Sequence, residues 1–521
     1  NGTFEHYDRL VEVRPDLPKI ELDCQNTLTA IPYADLVMEI LEEIIVSGGT
    51  AGVPTGTDGE SPALLAYPQH IDRPGAVGAY LPDPAHVGRS LAERQYPRTL
   101  PYLLPLDELR TYLAHTGVPH DTLIESFNDL LATPLSGAVR GALAMGAAPA
   151  AVASFPSDFT ANPNTYWGGG PTTDLDDLPT LFTRAQLDDF DMLLDLLRTR
   201  YLNGESRVGI YLKDASQLGG QGQNGQFVDP CRIDNLRVAH DTGAGDPNVP
   251  PEEGDLVAPT NWFWSRMAAF LRLMHWTRLS PLHLDKALFA LDVAPSTPGT
   301  NANYSVGIDV DGPEIQALHG FVRLLEHTQL HPPEVFSWWR EMDQYEDRAN
   351  RPGGPEISQY ERVFLDPSVM GDAVNSVFAV DGAGELVTSD ANTNPAQAHA
   401  TLLAAALRIS EEDLVALDAF ITATVGVPGL NVIGLWTFYR WASFARAARL
   451  PIVDLESFVR MVWVTSSGPS DGFPETPQAA YDDLVALDKM RSHGLEVGPL
   501  AWVFGHVNAD LHGMPAATCE T

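Results

Sequence analysis

Basic residues are scarce in this chain: 32 Lys and Arg stand against 69 Asp and Glu, for a net charge of −37. The only lysines are Lys19, Lys213, Lys286 and Lys489. A field of that sign repels phosphate backbones and anionic headgroups, and no basic cluster offsets it, so nucleic acid is excluded as a partner. Cysteine is scarcer still. Cys24, Cys231 and Cys519 are too few and too scattered for a disulfide framework or a zinc site. No run of about 18 apolar residues occurs, so no membrane-spanning helix and no direct membrane insertion are expected of this segment. No signal-peptide pattern is visible, and an opening on Asn1 in place of Met reads as a processed product or an excised piece.

What is present is a core. Hydrophobic residues make up 44% of the 521 positions and include 10 Trp, enough for several packed units. A helix–turn–helix pattern recurs, clearest between Met267–Leu288 and Leu318–Trp339. At a constant offset of 51, Phe270 matches Phe321, Arg272 matches Arg323, Leu273 matches Leu324, Leu279 matches Leu330, Pro281 matches Pro332 and Leu284 matches Val335. Four looser copies share an apolar residue closing one helix and a Leu five positions on: Val118 with Leu123, Ile409 with Leu414, Leu450 with Leu455, Leu495 with Leu500. Six positions before each closing residue stand Tyr112, Leu403, Phe444 and Lys489; the first three fit a buried face and Lys489 does not. Spacing between copies is irregular. The pattern predicts six helical hairpins separated by insertions rather than a uniform solenoid, in a mainly α fold of irregular stacked hairpins.

Along the chain, Tyr33, Leu36, Val37, Ile40, Leu41 and Ile44 line one face of a helix predicted over Pro32–Val46. Helices are also predicted over Leu106–His115 and Asp121–Leu131, and a long one from a cap at Thr183 to about Tyr201, with Leu187, Phe190, Leu194 and Leu197 inward. Residues 134–180 are rich in Gly, Pro and small side chains and read mostly as loop. Val208–Leu212 and Ile233–Val238 read as short strands, a small β excursion near 205–240. The chain divides into an N-terminal helical segment with Gly/Pro-rich loops (1–133), a long helix with the β excursion and loops (134–260), and a hairpin-repeat segment (261–521), together one continuous helical body with insertions.

None of the motifs that could carry chemistry is complete. Gly468-Pro469-Ser470-Asp471-Gly472 matches G-x-S-x-G, and Met461–Val464 could be extended before it, but two prolines oppose a helix after the serine. Asp188, Asp189, Asp191 and Asp195 lack the spacing that bridges magnesium to a diphosphate and read as a solvated helix face. Asp309-x-Asp311-Gly312 is a calcium-loop fragment without its later ligands. His319, His327 and His331 lack the spacing of a metalloprotease helix, and the Gly219–Phe227 loop lacks the Lys-Ser/Thr end that holds phosphate. Arg272 and Arg323, duplicated by the repeat, read as junction residues whose forks bond carboxylates or carbonyls of the next hairpin. No catalytic, cofactor-binding or metal-binding residue is assigned, no cofactor is expected, and the chain is read as not an enzyme.

Blocks between and within the hairpins carry a further signal. Arg14–Glu42, Ala79-Tyr80-Leu81 followed by Tyr96–Val118, Thr165–Gly170 (TYWGGG), Phe270–Leu288, Trp338–Tyr345 (WWREMDQY) and Tyr360–Val369 (YERVFLDPSV) resemble, in that order, the A component of insecticidal Tc toxin complexes, related to the Salmonella virulence plasmid A protein. The resemblance spans about residues 4–505. It implies an α-helical shell around a translocation channel, in a secreted bacterial virulence factor whose A subunits form a pentamer. It further implies binding to a host cell, a pH-triggered channel insertion, and passage of a toxic enzyme supplied by the B and C components. The channel helices, receptor-binding β domains and B-docking end have no counterpart in this stretch, so by itself it is expected neither to perforate membranes nor to translocate. The alternatives are a helical-repeat scaffold binding protein on a concave face, and an all-α glycoside hydrolase, which would need two facing carboxyls about 5–10 Å apart. The acidic surface further suggests subunit contacts that strengthen when carboxylates are protonated.

Overall fold

The computed structural model describes residues 91–503, apart from 156–162, 169–173, 204–206, 214–231, 243–255, 292–311, 345–356, 371–375 and 464–472, and positions 119, 129, 132, 188, 343 and 382–383. In chain order the helices are α1 Leu104–Thr116, α2 His120–Asn128, α3 Gly137–Ala144, α4 Leu178–Ala185, α5 Phe190–Arg198 and α6 Arg200–Asn203. A small antiparallel sheet follows: β1 Arg207–Leu212, β2 Leu236–Asp241 and β3 Leu256–Val257, in the order β1-β2-β3. Then come α7 Asn261–Thr277, α8 Pro281–Leu291, α9 Gly312–Thr328, α10 Pro332–Phe336, α11 Gln359–Phe364, α12 Pro367–Met370, α13 Pro395–Ala398 and α14 Ala400–Leu407. The chain continues through α15 Glu411–Thr424, α16 Val432–Ala447, α17 Leu455–Trp463, α18 Pro477–Ser492 and α19 Val497–Val503. The fold is mainly α, as the periodicity predicts. No helix among the described residues is long and apolar enough to cross a membrane.

The recurring hairpin has a local cause. In all six copies the residue before the closing apolar position is left-handed: Gly117, Arg278, Gln329, Arg408, Arg449 and Gly494, with φ between 49° and 72°. In the four looser copies the closing residue donates its N–H back five positions, Val118 to Leu113, Ile409 to Ala404, Leu450 to Ala445 and Leu495 to Met490. That is the Schellman ending, whose companion is an apolar contact with the helix's last turns. The paired positions of the sequence pattern are those at which this cap places its hydrophobic pair; Leu403 and Phe444 are buried there, whereas Tyr112 and Lys489 are exposed. The two strongest copies end differently, and identically to each other. Arg278 and Gln329 close a single bond to Met274 and Leu325. Thr277 and Thr328 donate their hydroxyls to Leu273 and Leu324 at 2.8 and 2.7 Å, and accept from Leu279 and Leu330 at 3.3 and 3.4 Å. The match at an offset of 51 thus extends to cap chemistry.

A seventh hairpin stands where one long helix was expected. Gln186, at φ 50°, is left-handed, and Leu187 donates to Phe182, so the predicted 183–201 helix breaks into α4 and α5. Asp177 caps α4 and Asp189 caps α5, while Thr183 lies inside α4 with its hydroxyl on the Pro179 carbonyl. The inward face of α5 is Leu193, Leu196 and Leu197; Phe190 is exposed and Leu194 half-buried. The first strand starts one residue earlier than expected, and the second starts three later, because Ile233–Asn235 form a 3-10 turn. Tyr112 was expected on a buried face and is 73% exposed, whereas Leu403 and Phe444 are fully buried and Lys489 is exposed. The predicted Pro32–Val46 helix and all three cysteines lie outside the described residues.

Residues 134–180 are less loop than composition suggests, because they include α3, two 3-10 turns and the start of α4. The small side chains of α3 serve close approach. A Cβ on Gly141 would lie 2.8 Å from the Ile315 carbonyl oxygen of α9, and a Cβ on Gly320 of α9 would lie 2.7 Å from the Gln478 nitrogen of α18. Helix α9 is thus held between two backbones, each of which meets it at a glycine. In an unconstrained helix Gly→Ala is favourable by about 1 kcal/mol. Here backbone would have to move, so Gly320→Ala is expected to destabilise by about 1–3 kcal/mol, read as a lower denaturant midpoint. A raised midpoint would show that the two helices have room to spare.

Candidate functional site

The polar stripe of α9 brings ionisable side chains of three helices together. Arg323 Nε lies 3.3 Å and His319 Nε2 3.8 Å from Asp121 Oδ2 on α2. The Arg323 guanidinium also sits 3.9 Å from the centre of the Tyr481 ring on α18. One turn further along, His327 Nε2 is 3.3 Å from Asp488 Oδ2, and its ring meets Tyr481 edge-on at 5.7 Å. A single helix face thereby pins the first hairpin on one side and the last on the other.

The charge states follow from burial. His319 is pushed down to about 4 by burial, reinforced by Arg323, and the attraction of Asp121 is the smaller effect. At neutral pH the imidazole is therefore uncharged; the Asp121 carboxylate is matched by Arg323, and the 3.8 Å contact is not an ion pair. Asp483 on α18 is pushed up to about 7 by burial and by Asp482 beside it, and its Oδ2 has no hydrogen-bond partner among the described residues. The two residues give opposite pH dependences. His319 has a lowered folded pKa, so its contribution is present above about 6.5 and lost as pH falls towards about 4. Asp483 has a raised one, so its contribution is present below about 3.8 and lost as pH rises through about 7. Asp483→Asn is accordingly expected to raise the thermal midpoint at pH 8, with the gain vanishing towards pH 4. An equal gain at both pH values would place the effect in packing instead of charge.

Arg272 is the counterpart of Arg323 in the repeat. Its fork donates to the carbonyls of Gln95 and Leu100, and burial holds it down to about 10. Both arginines do bond carbonyls or carboxylates at a junction. The partners, however, precede them in the chain: Gln95 and Leu100 for one, Asp121 for the other. The expectation of a following hairpin is corrected, because the 91–128 segment packs back across α7 and α9. Sequence reasoning missed Asp121, Tyr481 and Asp483. Only the duplicated arginines signalled that partners must exist.

The remaining candidate motifs separate. The G-x-S-x-G run at 468–472 lies outside the described residues, but Met461–Trp463 before it end helix α17, where a nucleophile elbow needs a strand. Asp188, Asp309, Asp311 and the Gly219–Phe227 loop also lie outside them. Asp189 is a helix cap, accepting from the Met192 N–H at 2.6 Å. His331 pairs with Arg362 Nη1 at 3.2 Å, so the three histidines face three different partners. Among the described residues no group of three or more His, Cys, Asp and Glu could hold a metal ion. Of two clefts, one is lined by a single carboxylate, Asp107, and the other by none, so neither offers the facing pair a glycosidase needs.

Of the blocks behind the family resemblance, Arg14–Glu42 and Ala79–Leu81 lie outside the described residues and Tyr96–Val118 is largely exposed, while the others supply buried packing residues. Trp167 of TYWGGG is buried edge-on against Trp264, with its Nε1 on the Trp264 carbonyl at 3.0 Å. Trp338 of WWREMDQY is fully buried, and Arg340 caps the Phe289 ring at 3.5 Å. Tyr360 of YERVFLDPSV donates its buried hydroxyl to the Phe378 carbonyl at 2.8 Å.

No protein-family model and no curated protein matches the chain. Among solved structures the chain is similar to the cryo-EM structure of Morganella morganii TcdA4, with a TM-score of 0.55 and 12% identity over 94% of this chain. The match spans 23% of the TcdA4 chain, and at this identity the likeness is one of fold.

Proposed function

We propose that this chain is a shell segment of a Tc toxin-like A subunit, non-catalytic by itself, whose work is geometric. The observation that carries the reading is the fold likeness to TcdA4, a Tc toxin A subunit, along 94% of the chain. The ordered sequence blocks support it independently, since they point to the same family, and Trp167, Trp338 and Tyr360 within them are buried. The match to about a quarter of that chain fits a segment of a larger body. The first hairpin supports it too: Leu104, Leu109, Tyr112, Phe127 and Leu130 are all exposed on α1–α2 and its end, a surface that another part of an assembly would cover. On this reading its partners are the rest of the A subunit, other protomers in a pentamer, and the B and C components; it acts outside the producing cell, and the host receptor is met by other parts.

The test is electron microscopy of the full A polypeptide. A five-fold particle with these hairpins in its outer wall is the expected result. A monomeric curved array with the hairpins lining a concave face would overturn the shell reading in favour of a scaffold.

A further inference from the structure

None of the 13 residues of α1 is buried. A lone helix of that length is marginal in water, because nucleation is costly and most helical stability comes from packing an apolar face. Local devices do not supply the difference. Leu103, at the N-terminal end, gives no side-chain cap, and Gly117 closes only the last carbonyls. On one side α1 is tied to the body: Arg110 donates to the carbonyls of Leu143, Gly146 and Ala147 at 2.9, 2.7 and 3.0 Å. On the side turned away from Arg110 stand Leu104, Leu109 and Tyr112, with 54, 41 and 73% of their surface exposed. Apolar side chains left open on a helix that needs packing mark a face for another segment to cover.

The sequence holds a segment of matching length and pattern. The helix predicted over Pro32–Val46 lies outside the described residues. At about 1.5 Å per residue it runs about 22 Å, against about 20 Å for α1. Tyr33, Leu36, Val37, Ile40, Leu41 and Ile44 fall in one stripe, and Asp35, Glu39, Glu42 and Glu43 fall on the other side. Contact through the stripe keeps those carboxylates away from Asp107 and Glu108 of α1. Forty-five positions separate Val46 from Leu91, where the described chain begins, and thirteen more lead to α1. A covalent tether of that length raises the segment's local concentration above that of a free partner. A second copy of the chain fits this face less well. Glu108 lies midway between Leu104 and Tyr112, so a two-fold pairing sets two Glu108 carboxylates together, in chains that each carry −37.

We propose that residues 32–46 dock as an amphipathic helix on the Leu104–Leu109–Tyr112 face of α1, within the same chain. The contact makes the first hairpin a three-helix unit. It stands whichever assembly the chain joins, since Phe127 and Leu130, at and beyond the end of α2, stay available to a neighbour.

Hydrogen exchange of the full chain, read by mass spectrometry, tests this. Tyr112→Asp puts a charge into the contact at a position the described fold leaves open. It is expected to speed exchange of the 32–46 amides tenfold or more. Ile40→Asp is expected to do the same to the amides of α1. Tyr112→Ala, which adds no charge, should act in the same direction. Exchange in α16 should stay unchanged in all three, which shows that the body remains folded, and Val415→Asp, at an exposed position on α15, should alter neither segment. Exchange of 32–46 indifferent to both Tyr112 variants would overturn the proposal. Protection of 32–46 that rises with protein concentration would also overturn it, and would assign the face to a second copy.

Discussion

Trp338→Ala is expected to cost about 3–5 kcal/mol of stability, the usual range for emptying a buried aromatic site. Trp338 has no exposed surface. Its ring packs at 5.5 Å from Phe444, 5.8 Å from Trp339 and 6.3 Å from Phe473, joining the α9–α10 hairpin to α16 and to the chain before α18. Its Nε1 donates to Ser443 Oγ at 3.0 Å, and that hydroxyl donates in turn to Glu334 Oε1 at 3.0 Å. Alanine leaves a cavity and also removes the hydroxyl's donor. Trp338→Phe keeps most of the ring contacts and should cost clearly less. Chemical denaturation measures both, and equal midpoints for the wild type and Trp338→Ala would mean that this aromatic cluster does not hold the hairpins together.

The second large effect is expected at the repeat itself. Leu273→Ala and Leu324→Ala should each destabilise by about 2–5 kcal/mol. Both side chains are fully buried, and both carbonyls accept the hydroxyl of the threonine that ends their helix. If the two hairpins are equivalent units, the two costs should agree to within the scatter set by how far each site relaxes. A large cost at one and none at the other would show that the matched positions do different work. Unchanged midpoints for both would remove the buried-repeat reading altogether.

These expectations differ in how far the sequence could reach them. Leu273 and Leu324 were legible as core because their period and their matched neighbours placed them on a buried face. Trp338 stood out only as part of a block resembling a family; that it joins two hairpins emerged from the packing. The 183–201 stretch misled because its apolar spacing runs through Gln186 nearly in helical phase, and nothing in a glutamine announces φ 50°. Tyr112 misled for the opposite reason. Its cap is the one expected, but the described fold lays no neighbour over that face. In the junction, Arg272 and Arg323 were marked by duplication, and their partners were invisible because Gln95, Leu100, Asp121 and Tyr481 lie far from them in sequence.

By itself, then, the sequence determined the six recurring helix–turn–helix junctions and the mainly α class, though not every helix boundary, as the break at Gln186 shows. Those features depend on caps, prolines, threonine hydroxyls and left-handed residues, whose energies are settled within a few positions. Tertiary structure alone decided that α9 is gripped at Gly141 and Gly320, that Arg323 serves Asp121, and that Asp483 stands half-buried beside Asp482. Each of these depends on which backbones approach one another, and that is set by the packing of whole helices rather than by any local run of residues.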